Sequence, residues 1–111
     1  MRALVTVACV AGVLHVCTPP VLAAQADGAT HLVIISGVSG EARIGTEWHG
    51  MSMALATAAT QRYGVAPARV IVLAQDSTRD AGRVQGRSSK ATIERVLGGI
   101  ARALTPADRL V

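Results

Sequence analysis

The hydrophobic positions from residue 30 onward alternate between short, wholly apolar runs and longer amphipathic stretches. Strands are predicted at residues 32–36 and 69–73, because both runs are apolar on both faces, which is typical of a parallel sheet covered by helices on each side. Between them a helix is predicted at residues 46–63, with Thr46 as its N-cap and Gly64 ending it. The residues expected on its buried face are Trp48, Met51, Leu55, Ala58 and Ala59.

The second half of the chain repeats this alternation after a long polar segment. Residues 75–88 form a connection of about fourteen residues, longer than most, and we expect such a loop to be functional or mobile. Ser89 is placed to cap a second helix. Apolar residues then recur at helical spacing, at Ile93, Val96, Leu97, Ile100 and Leu104. Residues 109–111 read as the opening of a third strand. The predicted fold class is therefore α/β, a three-layer, mostly parallel sheet flanked by helices and truncated in the third strand.

Residues 1–24 have the pattern of a secretory signal peptide. Arg2 supplies the positive start, residues 3–16 are almost wholly apolar, and small residues follow two prolines near the expected cleavage positions. The apolar run of about 14 residues is short of the ~20 that span a bilayer, so no stable membrane span is expected. A lipoprotein signal is an alternative, because residues 14–17 (LHVC) resemble a lipobox, although Val16 is bulky for the position before the cysteine. We expect residues 25–111 to form the mature part of an exported protein, periplasmic or secreted.

Composition narrows the chemistry open to this mature part. Cys9 and Cys17 are the two cysteines, and both lie in the predicted signal peptide, so no thiol would remain for a disulfide, a zinc site or a nucleophile. The net charge of +4 comes from scattered basic residues, and one Tyr, one Trp and no Phe leave little to stack on bases. No nucleic-acid partner, cofactor or metal site is predicted.

The glycine-rich segment at residues 37–45 lacks the features of two familiar loops. Residues 40–45 have the G-x-x-x-x-G spacing of a phosphate-binding loop, but Thr46 and Glu47 stand where a lysine and a hydroxyl residue are required. The segment also lacks the close glycines of a dinucleotide-binding turn. A serine nucleophile is not indicated either, because Ser39 is not in a G-x-S-x-G elbow.

The titratable residues do not form a recognisable catalytic set. His31 begins a strand and His49 lies one turn into the predicted helix, so neither is plainly placed to serve a serine of the glycine segment. Asp76 and Asp80 are interpreted as turn and loop formers. No catalytic residue is therefore predicted in this chain.

Three stretches, taken in order, resemble the N-terminal half of bacterial exported caspase-like proteins, relatives of the legumain family of cysteine peptidases. They are THLVIISGVSGE at residues 30–41, RYGVAPARVIVLAQD at 62–76 and GRSSKATIERVLGGIARALTPADRLV at 86–111. The most specific features are the strand running into Ser36, the YGV at the helix end, the strand ending at Leu73 and the GRSSK entry to the second helix. The resemblance implies a caspase-like fold.

The resemblance also implies the chemistry of a cysteine peptidase, in which a thiolate attacks a peptide carbonyl and a histidine acts as acid and base. In that family the catalytic His-Gly pair follows the third strand and the cysteine follows the fourth. Neither is expected here, since the sequence ends inside its third predicted strand; His49 and Gly50 spell the dipeptide but lie in the first helix. The chain is thus expected to be an inactive N-terminal fragment of an exported cysteine peptidase whose full-length form takes a peptide or protein substrate.

The same family places its first strand-to-helix loop beside the substrate cleft. This would make residues 37–45 a peptide-side loop with Arg43 as its only cation, although no specificity role is assigned to Arg43. A non-catalytic periplasmic binding or scaffold domain of the same fold stays open as an alternative, because fold does not determine function.

Overall fold

A computed structural model describes residues 28–111 of the chain; the predicted signal peptide lies outside this range. The strands and helices, in order, are β1 (Thr30–Ile35), α1 (Ala42–Gln61), β2 (Val70–Ala74), β3 (Gly86–Arg87), α2 (Lys90–Ala103) and β4 (Arg109–Leu110). All strand pairs are parallel, and the sheet order is β3-β2-β1-β4. The predicted α/β class, a parallel sheet flanked by helices, is confirmed.

β1 and β2 form the centre of the sheet. Their register pairs Leu32 with Val70 and continues to Ile35 with Leu73. β4 pairs with the first half of β1, and the backbone N–H of Val111 donates to the His31 carbonyl at 2.9 Å. α1 leads from β1 to β2 on one side, whereas α2 leads to β4 on the other side of β1. The order in which strands are added to the sheet therefore reverses at β1, as it does in open α/β sheets.

α1 covers one face of the sheet, and the side that it buries agrees with the predicted one at Ala59 but not at its larger residues. Its buried residues are Ser52, Met53, Ala56 and Ala59, and the small alanines let the helix approach the strands closely. Trp48, Met51 and Leu55 were expected in the core and instead lie 40 %, 69 % and 50 % exposed. Both stripes recur at helical spacing, so periodicity alone could not decide between them.

α1 also begins four residues earlier than predicted. Glu41 occupies the N-cap position with an extended backbone and no side-chain cap. Thr46 is therefore inside the helix, where its hydroxyl donates to the Ala42 carbonyl at 3.0 Å. The C-terminal end matches the prediction, because Gly64 has a φ of +66° and the Val65 N–H closes the helix on the Ala59 carbonyl at 2.9 Å.

α2 covers the opposite face. Its predicted cap is confirmed, since the Ser89 hydroxyl accepts from the Thr92 N–H at 3.3 Å. Side chains alternate along β2, so Leu73, which is fully buried, points away from the α1 core toward this second helix. A Cβ at Gly86 would lie 3.2 Å from the Thr92 methyl and 3.6 Å from Leu73, which shows how closely α2 packs on the strands.

The long loop after β2 is attached to the core at its C-terminal end, which its polar composition did not indicate. Val84 is 5 % exposed and belongs to the core between α1 and the sheet, with Ile34, Met53, Ala56, Ala59, Val70, Val72 and Ala74. The Gln85 side chain accepts from the Val72 N–H at 2.6 Å. A two-residue strand, β3, follows at once and pairs with the end of β2.

The turn before β4 is tied to the start of β1. The Asp108 carboxylate accepts from the N–H of Thr105 at 2.7 Å and from the N–H of Ala29 at 2.6 Å. These backbone bonds, that of Thr105 foremost, hold the pKa of Asp108 below its ordinary value. Between residues 28 and 111, neither helix is long and apolar enough to cross a membrane.

Candidate functional site

A cleft of about 320 Å³ lies at the carboxyl ends of β1 and β2. This is the edge at which open α/β sheets bind their ligands. Its walls are the segment after β1, the first turns of α1 and the segment after β2. The lining residues with polar or charged side chains are Ser36, Ser39, Glu41, Thr46, His49, Gln75, Asp76 and Arg79.

The segment between β1 and α1 forms one wall. The Gln75 side chain accepts from the Ser39 N–H at 2.9 Å, which links this wall to the segment after β2. The Ser39 hydroxyl donates to the Glu41 carbonyl at 3.0 Å and rests against α1 at Gly45. A Cβ at Gly45 would come within 2.7 Å of that hydroxyl oxygen, so a side chain at this position would displace the Ser39 hydroxyl.

The loop at residues 75–85 forms the other wall. Asp76 folds it locally, since its carboxylate accepts from the N–H and the hydroxyl of Thr78 at 2.9 Å and 2.6 Å. The Thr78 hydroxyl, followed by the Thr78 N–H, lowers the pKa of Asp76 from its ordinary value. Asp76 is therefore a carboxylate at neutral pH and contributes negative charge to the cleft.

Two side-chain contacts join this loop to α1 across the cleft. The Arg79 guanidinium donates to the Thr46 hydroxyl at 3.3 Å. His49 Nε2 lies 3.7 Å from the Asp80 carboxylate, and the His49 side chain is 15 % exposed. The second contact brings together His49, which was interpreted as a helix residue, and Asp80, which was interpreted as a loop former.

The residues singled out from the sequence divide into two groups. Ser36, Ser39, His49 and Asp76 all line the cleft. Arg43 does not line it, because its guanidinium is paired with Glu47 at 2.7 Å on the exposed side of α1.

His31 is also outside the cleft. It lies in the half of β1 that pairs with β4, opposite Leu110. The carboxyl end of β1 is four residues further along the strand.

The serine hydroxyls of the cleft are engaged by backbone. That of Ser36 donates to the Leu73 carbonyl at 3.4 Å and that of Ser39 to the Glu41 carbonyl. Over residues 28–111 neither hydroxyl is hydrogen-bonded to His49, so no serine is activated by a base. The same part of the chain contains no group of three or more His, Cys, Asp and Glu side chains that could hold a metal ion.

Sequence reasoning missed four polar residues of the site, Glu41, Thr46, Gln75 and Arg79. Thr46 was placed at a helix cap, and Arg79 was one polar residue of a long loop. A signal for Arg79 existed: it lies five residues after a buried parallel strand, and loops at the carboxyl ends of neighbouring strands meet at one edge of the sheet.

An apolar rim borders the cleft on the β1 side. Ile35, Trp48 and Met51 enclose a shallower groove of about 270 Å³ there. A separate groove of about 450 Å³ lies on the far side of the molecule, lined mainly by α1 and the end of the 75–85 loop. It is the larger of the two, but it holds none of the serines or histidines, so the cleft at the strand ends is the better candidate.

Comparisons with protein-family models, with curated proteins and with solved structures each yield no match to the chain. What the fold and the cleft define is the class: a parallel α/β domain with a polar site at the carboxyl edge of its sheet.

Proposed function

We propose that this chain is the N-terminal part of an exported cysteine peptidase domain of the caspase and legumain type, and that it supplies one side of the peptide-binding cleft. On its own it is inactive, because the catalytic histidine and cysteine belong to later strands of that fold. The observation that carries the proposal is the cleft at the carboxyl ends of β1 and β2, in a parallel sheet whose order places β1 between β2 and β4.

The walls of the cleft suit an extended peptide. The polar side chains that line them include Ser39 on one wall, Gln75 on the other and Thr46 on α1. The apolar rim at Trp48 offers a surface for a neighbouring side chain. Polar groups that can orient a ligand, placed on a concave surface beside apolar contacts, are a usual feature of a binding site.

The test of the family assignment is the nucleotide sequence after the codon for Val111 in the source genome. We expect a His-Gly within about ten codons and a cysteine after the next strand, as the resemblance implies. A continuation that encodes neither residue, or a stop codon at that point, contradicts the assignment.

The chain itself should not cleave peptides. Cys9 and Cys17 are its cysteines, and both precede the described residues, so the cleft has no thiol. Fluorogenic peptides ending in Asn, Asp or Arg should show no turnover with the purified chain. Turnover that survives iodoacetamide and copurifies with the chain would contradict this.

Export is part of the proposal and rests on residues 1–24. N-terminal sequencing of periplasmic or secreted material should begin between Ala24 and Asp27, as expected for signal peptidase cleavage. Recovery of the chain from the cytoplasm with Met1 intact would contradict export. A lipid-modified Cys17 would instead support the lipoprotein alternative.

A non-catalytic binding or scaffold domain is the second candidate. The observation that favours it is that the three hydroxyls lining the cleft, those of Ser36, Ser39 and Thr46, all donate to backbone carbonyls, while the cleft itself is open to solvent. Such a domain would bind a peptide, and the gene would encode no catalytic His-Gly and cysteine after Val111. The genomic test above therefore separates the binding domain from the peptidase.

A further inference from the structure

We propose that His49 and Asp80 form a pH-sensitive latch between α1 and the 75–85 loop, closed at acidic pH, and that this latch sets how open the cleft is. The role in peptide access rests on the proposed function of the cleft, whereas the latch itself rests on the contacts described next.

The C-terminal end of the loop is firmly attached. Val84 is buried in the core, and the Arg83 guanidinium donates to the Met53 carbonyl at 3.1 Å and to the Thr57 hydroxyl at 2.7 Å. The Gln85 N–H also donates to the Val72 carbonyl at 2.9 Å. This end cannot move without disturbing the core.

The N-terminal end of the loop is attached differently. Residues 76–80 are largely exposed, and within the described part of the chain their side chains make two polar contacts with α1, Arg79 with Thr46 and Asp80 with His49. The first is a bond of 3.3 Å to a neutral hydroxyl, which is long for a hydrogen bond. The second contact, at 3.7 Å, joins a carboxylate to an imidazole, so its strength changes more with the charge of the imidazole than that of the first contact does.

Asp80 is held in position by the firmly attached end. It is the one described residue other than glycine with a positive φ, 63°, a conformation that aspartate tolerates better than most residues. Its carbonyl accepts from the N–H groups of Arg83 and Val84 at 2.8 Å and 3.0 Å. The buried Val84 thus fixes the backbone of Asp80, and its carboxylate faces His49.

Carboxylates outnumber cations around His49 in the cleft. Besides Asp80, the cleft presents the carboxylates of Glu41 and Asp76, against the single guanidinium of Arg79. Histidine changes charge between about pH 5 and pH 8. Acidic conditions therefore turn the contact with Asp80 into an ion pair that draws the loop to α1, and alkaline conditions remove that attraction.

The other nearby charges do not compete for this contact. Arg83 donates to α1 one and two turns beyond His49, at Met53 and Thr57. Arg43 and Glu47 are paired with each other on the exposed side of the helix.

The experiment is amide hydrogen exchange by NMR on the full chain at about pH 5.5 and about pH 7.5, with each rate corrected for the intrinsic effect of pH. We expect protection of residues 76–80 to be about two- to fivefold higher at the acidic pH, the range of a partly exposed ion pair. Asp80→Asn keeps a residue that tolerates the positive φ and removes the charge, so it should abolish the difference. His49→Gln should do the same.

Glu94→Gln serves as the control, because it removes a carboxylate from an exposed pair with Lys90 on α2. It should leave the pH response of the loop unchanged. A wild-type loop without a pH response, or a response that persists in Asp80→Asn, overturns the latch. Because exchange needs no substrate, failure of the peptidase assignment would leave this result standing.

Discussion

Truncating Val84 tests whether the 75–85 loop is anchored in the core. Val84→Ala deletes two methyl groups from a side chain that is 5 % exposed and packed with Val72 and Met53. The lost transfer free energy is about 1.6 kcal/mol at ~0.8 kcal/mol per buried carbon. The cavity left behind raises the expected loss in free energy of unfolding to about 2–3 kcal/mol.

The matched control is Val38→Ala, which makes the same deletion at a side chain that is 74 % exposed. Its effect should stay within about 0.5 kcal/mol. Urea denaturation followed by fluorescence suits both variants, since Trp48 is the single tryptophan, and equal m-values would show that the two unfolding transitions are comparable. If Val84→Ala costs no more than Val38→Ala, the loop is not anchored and the positioning of Asp80 loses its basis.

Two further predictions concern backbone and pH. Gly64→Ala should destabilise the chain by about 1–2 kcal/mol, because φ is +66° there. Gly50→Ala should stabilise it by about 0.5–1 kcal/mol, because this glycine lies inside α1 with open space around it. Thermal or urea unfolding of both variants measures the two changes in free energy of unfolding, and changes of the same sign would contradict the prediction. The Thr105 N–H, then the Ala29 N–H, lower the pKa of Asp108 from 3.8, so its stabilising effect is present above that value and is lost as pH falls through the lower folded pKa. Asp108→Asn should therefore be less stable than wild type at neutral pH and lose less stability on acidification below about pH 4, in urea titrations at several pH values; parallel curves for the two proteins would contradict the linkage.

The sheet and second helix were predictable because their signals are local. β1 and β2 are uninterrupted apolar runs, and Ser89 caps a helix with a single apolar stripe. The prediction that Trp48 lies on the buried side of α1 was wrong, because a stripe rich in alanine packs closer to a sheet than a stripe containing a tryptophan. That choice depends on the distance between helix and sheet, which periodicity does not report.

The site was predictable only in part, for a similar reason. The position of the cleft follows from strand order, and so do its serines. The pairing of His49 with Asp80 joins residues far apart in sequence, and it depends on a positive φ at an aspartate and on one buried valine in a polar loop. β3 carries no sequence signal, since a glycine and an arginine have no strand preference.

The central claim is that the cleft at the carboxyl ends of β1 and β2 binds peptide. It is tested most directly by titrating the isotope-labelled chain with blocked tripeptide amides ending in Asn, Asp or Arg and following amide shifts. We expect saturable shifts confined to residues 36–49 and 74–80, weakened by Gly45→Ala, whose Cβ would displace the Ser39 hydroxyl, and unchanged by Gly50→Ala. Saturable shifts around Pro67 and Arg83 in the far groove, or no saturable shift with any of the three peptides, would contradict the claim.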